Sequence, residues 1–162
     1  MIRLKFFIAL LFFSTIAFGQ KAKSNNIYFE LGGNGLFLSL NFEKELIKKT
    51  NLYGHLGFGI YGIRPTYLTL PFGINYLLKS KNKYNSIEFG LGATYTKADV
   101  KLYSIVDNKS NIPVKIQYFN IIPSISYRHN TDKNFMYKLS LTPVFNQYDG
   151  LPFLGFSIGK IF

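Results

Sequence analysis

The sequence predicts an all-β protein: a closed, antiparallel, up-and-down transmembrane β-barrel of eight strands, preceded by a cleaved signal peptide. Three observations carry that expectation. First, apolar and polar residues alternate in twos along most of the 162 residues, which is the period of extended chain. Second, the bulky apolar groups share one phase of that alternation, while Gly, Ser, Thr, Asn and the charged residues share the other. Third, the N-terminus reads as a secretion signal, and no later apolar run is long enough for a membrane helix.

Residues 1–19 (MIRLKFFIALLFFSTIAFG) have the three parts of a signal peptide. Arg3 and Lys5 give the positive start, Phe6 to Phe13 are unbroken apolar sequence, and Ala17 and Gly19 are small residues placed for cleavage before Gln20. The expected domains are therefore residues 1–19 as signal peptide and 20–162 as the barrel. If a chain without a spanning helix sits in lipid, only a closed barrel satisfies its backbone NH and CO groups.

The strands follow in order. Ile27, Phe29 and Leu31 share a face, opposite Tyr28, Glu30 and Gly32. Gly33-Asn34-Gly35 contains the Asn-Gly pair typical of tight hairpins. After it the parity flips. Leu36, Leu38, Leu40 and Phe42 are the expected outward set, with Ser39, Asn41 and Glu43 inward. A parity break needs a turn or a bulge, and a turn is expected here. A polar turn at 48–51 leads to Leu52, Gly54, Leu56, Phe58 and Ile60, opposite Tyr53, His55, Gly57 and Gly59. Leu68, Leu70, Phe72, Ile74, Tyr76 and Leu78 form the next outward row, ending at the basic turn 79–85. Ile87, Phe89, Leu91, Ala93 and Tyr95 oppose Glu88, Gly90, Gly92, Thr94 and Thr96, in a strand expected to continue to about residue 103. Residues 104–113 (SIVDNKSNIP) read as the longest loop. Phe119, Ile121, Pro123, Ile125 and Tyr127 are outward, and 129–134 is a turn. Phe135, Tyr137, Leu139, Leu141, Pro143 and Phe145 oppose Lys138, Ser140 and Thr142. The last strand places Leu154, Phe156, Ile158 and Phe162 outward, with Gly155, Ser157 and Gly159 inward.

Similar segments recur at 38–44, 72–78, 123–129 and 156–162. They fall on the second, fourth, sixth and eighth strands, which run the same way in an up-and-down barrel. The inward phase collects Glu30, Glu43, His55, Glu88, Arg128 and Lys138. Buried charges persist when paired. The interior of an eight-stranded barrel is just wide enough for side chains to fill, so a paired, filled polar interior with no wide pore is expected.

Composition narrows the function classes. There are 12 Tyr, 17 Phe and 14 Gly, a mix that suits strands and membrane-interface belts. The absence of Cys excludes disulfides, thiolate chemistry and a lipid-anchored lipoprotein. The formal charge is +11, and removal of Arg3 and Lys5 leaves 17 basic against 8 acidic residues, or +9. The lysines cluster in turn-like stretches (Lys48-Lys49, Lys79 to Lys83). That placement favours lipid headgroups over nucleic acid.

The segment LPFLGFSIGKIF at 151–162 resembles the C-terminal strand of the small outer-membrane β-barrel proteins of Gram-negative bacteria. In that family a terminal Phe after alternating apolar residues is the signal read by the barrel-insertion machinery. Lys160 departs from the pattern, standing where the family has an apolar or aromatic residue; a Lys near the membrane edge can snorkel to the headgroups. The resemblance implies location in the outer membrane, and membrane lipids and the insertion machinery as partners, the latter through Phe162. A monomer is expected. Small barrels of this kind include enzymes that use His with Ser or Asp, but neither His55 nor His129 has such a neighbour in the right phase. His129 reads as a solvated turn residue, and His55 as an interior group hydrogen-bonding near Glu30 or Glu88. No catalytic, cofactor-binding or metal residues are expected. The leading functional expectation is a non-enzymatic barrel, structural or interacting through its loops. The alternatives are an outer-membrane lipid-modifying enzyme and a secreted soluble barrel binding an apolar ligand.

Overall fold

The structure, a computed structural model, describes residues 25–62, 66–80, 84–97, 119–145 and 150–162. The expected signal peptide, the expected continuation of a strand toward residue 103 and the expected loop 104–113 lie outside the described residues. The strands are β1 (Asn25–Gly32), β2 (Leu38–Ile47), β3 (Leu52–Tyr61), β4 (Tyr67–Lys79), β5 (Asn85–Thr96), β6 (Phe119–Asn130), β7 (Phe135–Leu141), β8 (Val144–Phe145), β9 (Gly150–Leu151) and β10 (Leu154–Ile161). They make one antiparallel sheet in which β5, β4, β3, β2, β1, β10, β7 and β6 are successive neighbours, and the β5–β6 pairing closes the ring. Short β8 pairs with β6, as β7 does, and with β9, which leads into β10. The ten strands are therefore eight staves. Pro143 has no N–H to give to a ladder, and it sits in the break between β7 and β8. There Thr142 instead donates its backbone N–H to the Phe153 carbonyl at 2.8 Å.

The even-numbered segments singled out above lie on β2, β4, β6 and β10, and all four run in one direction. They end at the rim that carries Phe162. The connections on that rim, 48–51, 80–84 and 131–134, have four, five and four residues. At the opposite rim β5 ends at Thr96 and β6 begins at Phe119, with 22 residues of sequence between them. Short turns at one end and longer loops at the other are the habit of membrane barrels; here the β5–β6 connection differs in length, while 33–37 and 62–66 on the same rim have five residues each.

Burial follows the alternation, but inside out relative to a water-soluble sheet. Among the described residues only Tyr28, Leu36, Pro71, Leu77, Ile122, Met136 and Val144 are buried apolar side chains, against twenty buried polar or charged ones. Phe58, Leu68 and Leu154 are 71%, 78% and 70% exposed. A wall of such residues around the whole ring cannot be stable against water, and it matches hydrocarbon. Aromatic residues mark both edges of the belt. Tyr76, Tyr127, Tyr137 and Phe135 point outward near the turn rim, and Tyr95 and Phe119 near the loop rim. Phe119 and Tyr127 are eight residues apart on the outward face of β6. At about 3.3 Å per residue and a tilt of about 40°, that spacing is roughly 20 Å along the barrel axis, on the scale of the ~25 Å apolar band of membrane barrels.

Three expectations need correction. Leu36 is not outward but 1% exposed, because the turn before it folds into the barrel. His129 is not in a turn: β6 continues to Asn130, and His129 is half-buried, paired in register with Asn85. The seventh stave is broken at Thr142–Pro143 instead of continuous. A bulge at Leu46, between Glu45 and Ile47, lets both Leu46 and Ile47 face outward at the turn rim.

Candidate functional site in the barrel lumen

The inward phase delivers charged side chains from four different staves to one place. Glu43 on β2 and Glu88 on β5 are 0% and 1% exposed, while Arg128 on β6 and Lys138 on β7 are 3% and 5% exposed. Arg128 Nη2 donates to Glu43 Oε1 and Oε2 at 2.7 and 2.8 Å. The same nitrogen is 2.8 Å from Glu88 Oε2, an ion-pair contact too poorly aligned to count as a hydrogen bond. Lys138 Nζ donates to Glu88 Oε1 at 3.3 Å and lies 4.6 Å from the Tyr28 ring centroid. Asn75 Nδ2 donates to Glu43 Oε2 at 3.1 Å. A chain of charges thus runs from Glu43 through Arg128 and Glu88 to Lys138. At the short distances of a water-poor lumen such pairs interact far more strongly than at a surface.

His55 lies beside this chain, in register with Glu43 across the β2–β3 pair. Its Nε2 is 3.0 Å from Asn34 Nδ2 and its Nδ1 is 3.3 Å from Asn75 Nδ2. The ring is held between two amides, and not near Glu30 or Glu88 as the sequence suggests. His129 is likewise on an amide, with Nδ1 2.7 Å from Asn85 Oδ1. Ser126, three residues before His129, donates instead to Ser140 Oγ at 2.9 Å on the lumen side. Among the described residues no group of three or more His, Cys, Asp and Glu side chains could hold a metal ion.

The loop-side half of the lumen is filled by the β1–β2 connection. Gly33–Gly35 form one 3₁₀ turn, and all three residues are buried. The turn is gripped from the opposite walls: Thr69 Oγ1 donates to the Gly35 carbonyl at 3.1 Å, and Thr94 Oγ1 donates to the Asn34 carbonyl. Glu30 Oε2 accepts from the Gly35 backbone N–H at 3.2 Å, and Glu30 Oε1 from Ser157 Oγ at 3.5 Å. Gly33 has φ 65°, a conformation that glycine adopts at no steric cost, and a Cβ there would lie 2.5 Å from Glu30 Oε1. Above the turn, Leu36, Ile122 and Val144 make the lumen's apolar cluster, with Tyr61 and Phe153 against it.

The six charged or titratable residues expected inside are inside. Sequence reasoning missed Asn34, Thr69, Asn75 and Thr94 as the residues that tie turn and charge chain together. Inward parity marks Thr69, Asn75 and Thr94 as lumenal, but not their partners. The turn-rim end of the lumen is a polar vestibule of about 150 Å³, lined by Asn25, Asn26, Tyr53, Ser86, Arg128 and Asn130 among others.

No protein-family model matches the sequence, and no curated protein matches it. A solved structure does share the fold. The backbone structure of the Yersinia pestis outer membrane protein Ail in a phospholipid bilayer nanodisc superposes with a TM-score of 0.53 at 14% sequence identity, covering 86% of this chain and 97% of that one. The chain is thus similar in fold, over 86% of its length, to a barrel solved in a lipid bilayer.

Proposed function

We propose that this chain is an integral outer-membrane β-barrel protein with a filled lumen and no wide pore, acting without catalysis as a structural element or through its loop rim. The observation that carries the reading is the inward-folded turn 33–35 beneath the Leu36, Ile122 and Val144 cluster. Together with the Glu43–Arg128–Glu88–Lys138 chain it occupies the cross-section that a channel would need. The outward apolar belt supports insertion in lipid, and the Ail likeness supports the outer membrane as that lipid. The non-enzymatic part is supported by the amide partners of both histidines. Entry is proposed to use the last stave as the signal for the insertion machinery. There Phe162 is 47% exposed, near Phe42 with ring centroids 6.5 Å apart.

The test is reconstitution of the protein without residues 1–19 into planar bilayers, together with fractionation of cells that express it. The expected results are a heat-modifiable band in the outer-membrane fraction, no steady single-channel conductance, and an unchanged lipid A acyl pattern by mass spectrometry. Steady conductance would overturn the filled-lumen reading. A changed acyl pattern would replace it with a lipid-modifying enzyme, and recovery in the soluble fraction without detergent would remove the membrane reading altogether.

A further inference from the structure

The lipid-facing phase of the strands is apolar or aromatic almost everywhere, with two charged exceptions among the described strand residues: Lys44 on β2 and Lys160 on β10. Both are exposed, both lie near the turn rim, and they stand on either side of one stave, β1. Ile27 of β1 is in register with Lys160 on one side and Phe42 on the other, and Asn25 is in register with Lys44. Asn25 also exchanges backbone hydrogen bonds with Phe162 at 3.3 and 2.9 Å. The two lysines therefore bracket an apolar pad of Ile27, Phe42 and Phe162.

We propose that this seam, β10–β1–β2 at the turn rim, is a binding site for the phosphate-bearing headgroup of an anionic phospholipid, with an acyl chain lying over the pad. The inference rests on the membrane reading above. Lys160 Nζ sits 4.3 Å from the Phe135 ring centroid and donates to the Lys133 carbonyl at 3.3 Å. That contact fixes the ammonium at the rim and leaves two of its three donors for a phosphate. Lys44 makes no hydrogen bond or ion pair among the described residues, so its charge is uncommitted. The wider rim adds long-range attraction. Lys48, Lys49, Lys79 and Lys133 are exposed there as well. The acids of the same rim, Glu45 and Asp132, accept from the Lys49 backbone N–H at 3.0 Å and the Tyr84 hydroxyl at 2.6 Å. Basic residues at a membrane surface attract anionic lipid in this way, and Lys stems lie along apolar surface while the heads reach the headgroups. A cation in the lipid-facing phase is least costly at the rim, which is where both occur.

The test uses the folded barrel in vesicles of phosphatidylcholine with one-fifth phosphatidylglycerol, extracted with mild detergent and weighed with its retained lipids by native mass spectrometry. The expected result is retention of phosphatidylglycerol over phosphatidylcholine, relative to their supply, by roughly fivefold. That preference should be lost in the Lys44→Gln/Lys160→Gln variant and kept in Lys48→Gln/Lys49→Gln, whose lysines are in the turn and off the pad. Heat-modifiability verifies that each variant is folded. Equal retention of the two lipids by the unmodified protein overturns the site, as does a preference that survives Lys44→Gln/Lys160→Gln. Equal loss in both variants reduces it to general charge attraction, which also overturns it. Failure to float with the vesicles at all is a different result: it removes the membrane reading, and the site with it.

Discussion

Arg128 is the residue on which the lumen most depends. One guanidinium nitrogen serves both Glu43 and Glu88. Removing it strands a buried carboxylate, whereas removing both members of a pair does not. Arg128→Met should destabilise the barrel by about 3–5 kcal/mol, read as a lower urea midpoint for loss of heat-modifiability in lipid. Lys138→Met should cost less, because Arg128 still faces Glu88. Adding Glu43→Gln to Arg128→Met should recover part of the loss, since Lys138 still holds Glu88 at 3.3 Å; a double variant no better than Arg128→Met would deny the pairing. Which residues point inward was legible from parity alone, for Glu30, Glu43, His55, Glu88, Arg128 and Lys138. Who meets whom was not. Glu43 and Arg128 are 85 positions apart and on staves far apart around the ring. Their meeting depends on stave tilt and stagger, which a one-dimensional pattern does not carry.

The β1–β2 connection shows the same limit at the level of an element. Its sequence, Gly33-Asn34-Gly35, marks a turn correctly, and the parity flip is real. An Asn-Gly signal says nothing about whether a turn projects into solvent or folds back into the lumen. Here the decision is made by remote partners: Thr69, Thr94 and the empty space over Gly92, where any Cβ would collide with the Asn34 amide. The tuck turns Leu36 from an expected outward residue into part of the cap. Gly33→Ala should therefore be more harmful than an exposed hairpin would suggest. The backbone must hold φ 65° with a Cβ against the Glu30 carboxylate, a cost of about 1–3 kcal/mol for a residue forced into that region. A urea midpoint within error of the unsubstituted protein would show that the turn does not hold the inward position.

The whole molecule is ruled by one inversion: polar inside, apolar outside, around a closed ring. That much was readable in the sequence, because barrel closure leaves each strand with only two faces and the alternation assigns them. The inversion predicts a depth dependence. Phe72 is near the middle of β4 and Leu78 near its turn-rim end, and both are exposed. Phe72→Lys should cost about 2–4 kcal/mol in lipid and Leu78→Lys about 0–1 kcal/mol, measured by urea titration of barrels folded into vesicles. Equal costs would mean that the belt does not sit across hydrocarbon as placed here. The rim lysines Lys44 and Lys160, unusual as isolated sequence positions, fall into line with that gradient.

The backbone exchange between Asn25 and Phe162 has a consequence for chain connectivity. A closed ring of staves has no geometric beginning. Residues 25 and 162 lie side by side, so a short linker could join them while the backbone is cut at the turn 48–51 on the same rim. Such a circular permutant would keep all eight staves and the lumenal chain of charges, but its last strand would be β2, which runs in the same direction as β10. The order of the strands along the polypeptide is thus separable from their order around the barrel, and the signal carried by the last strand can be studied apart from the fold that carries it.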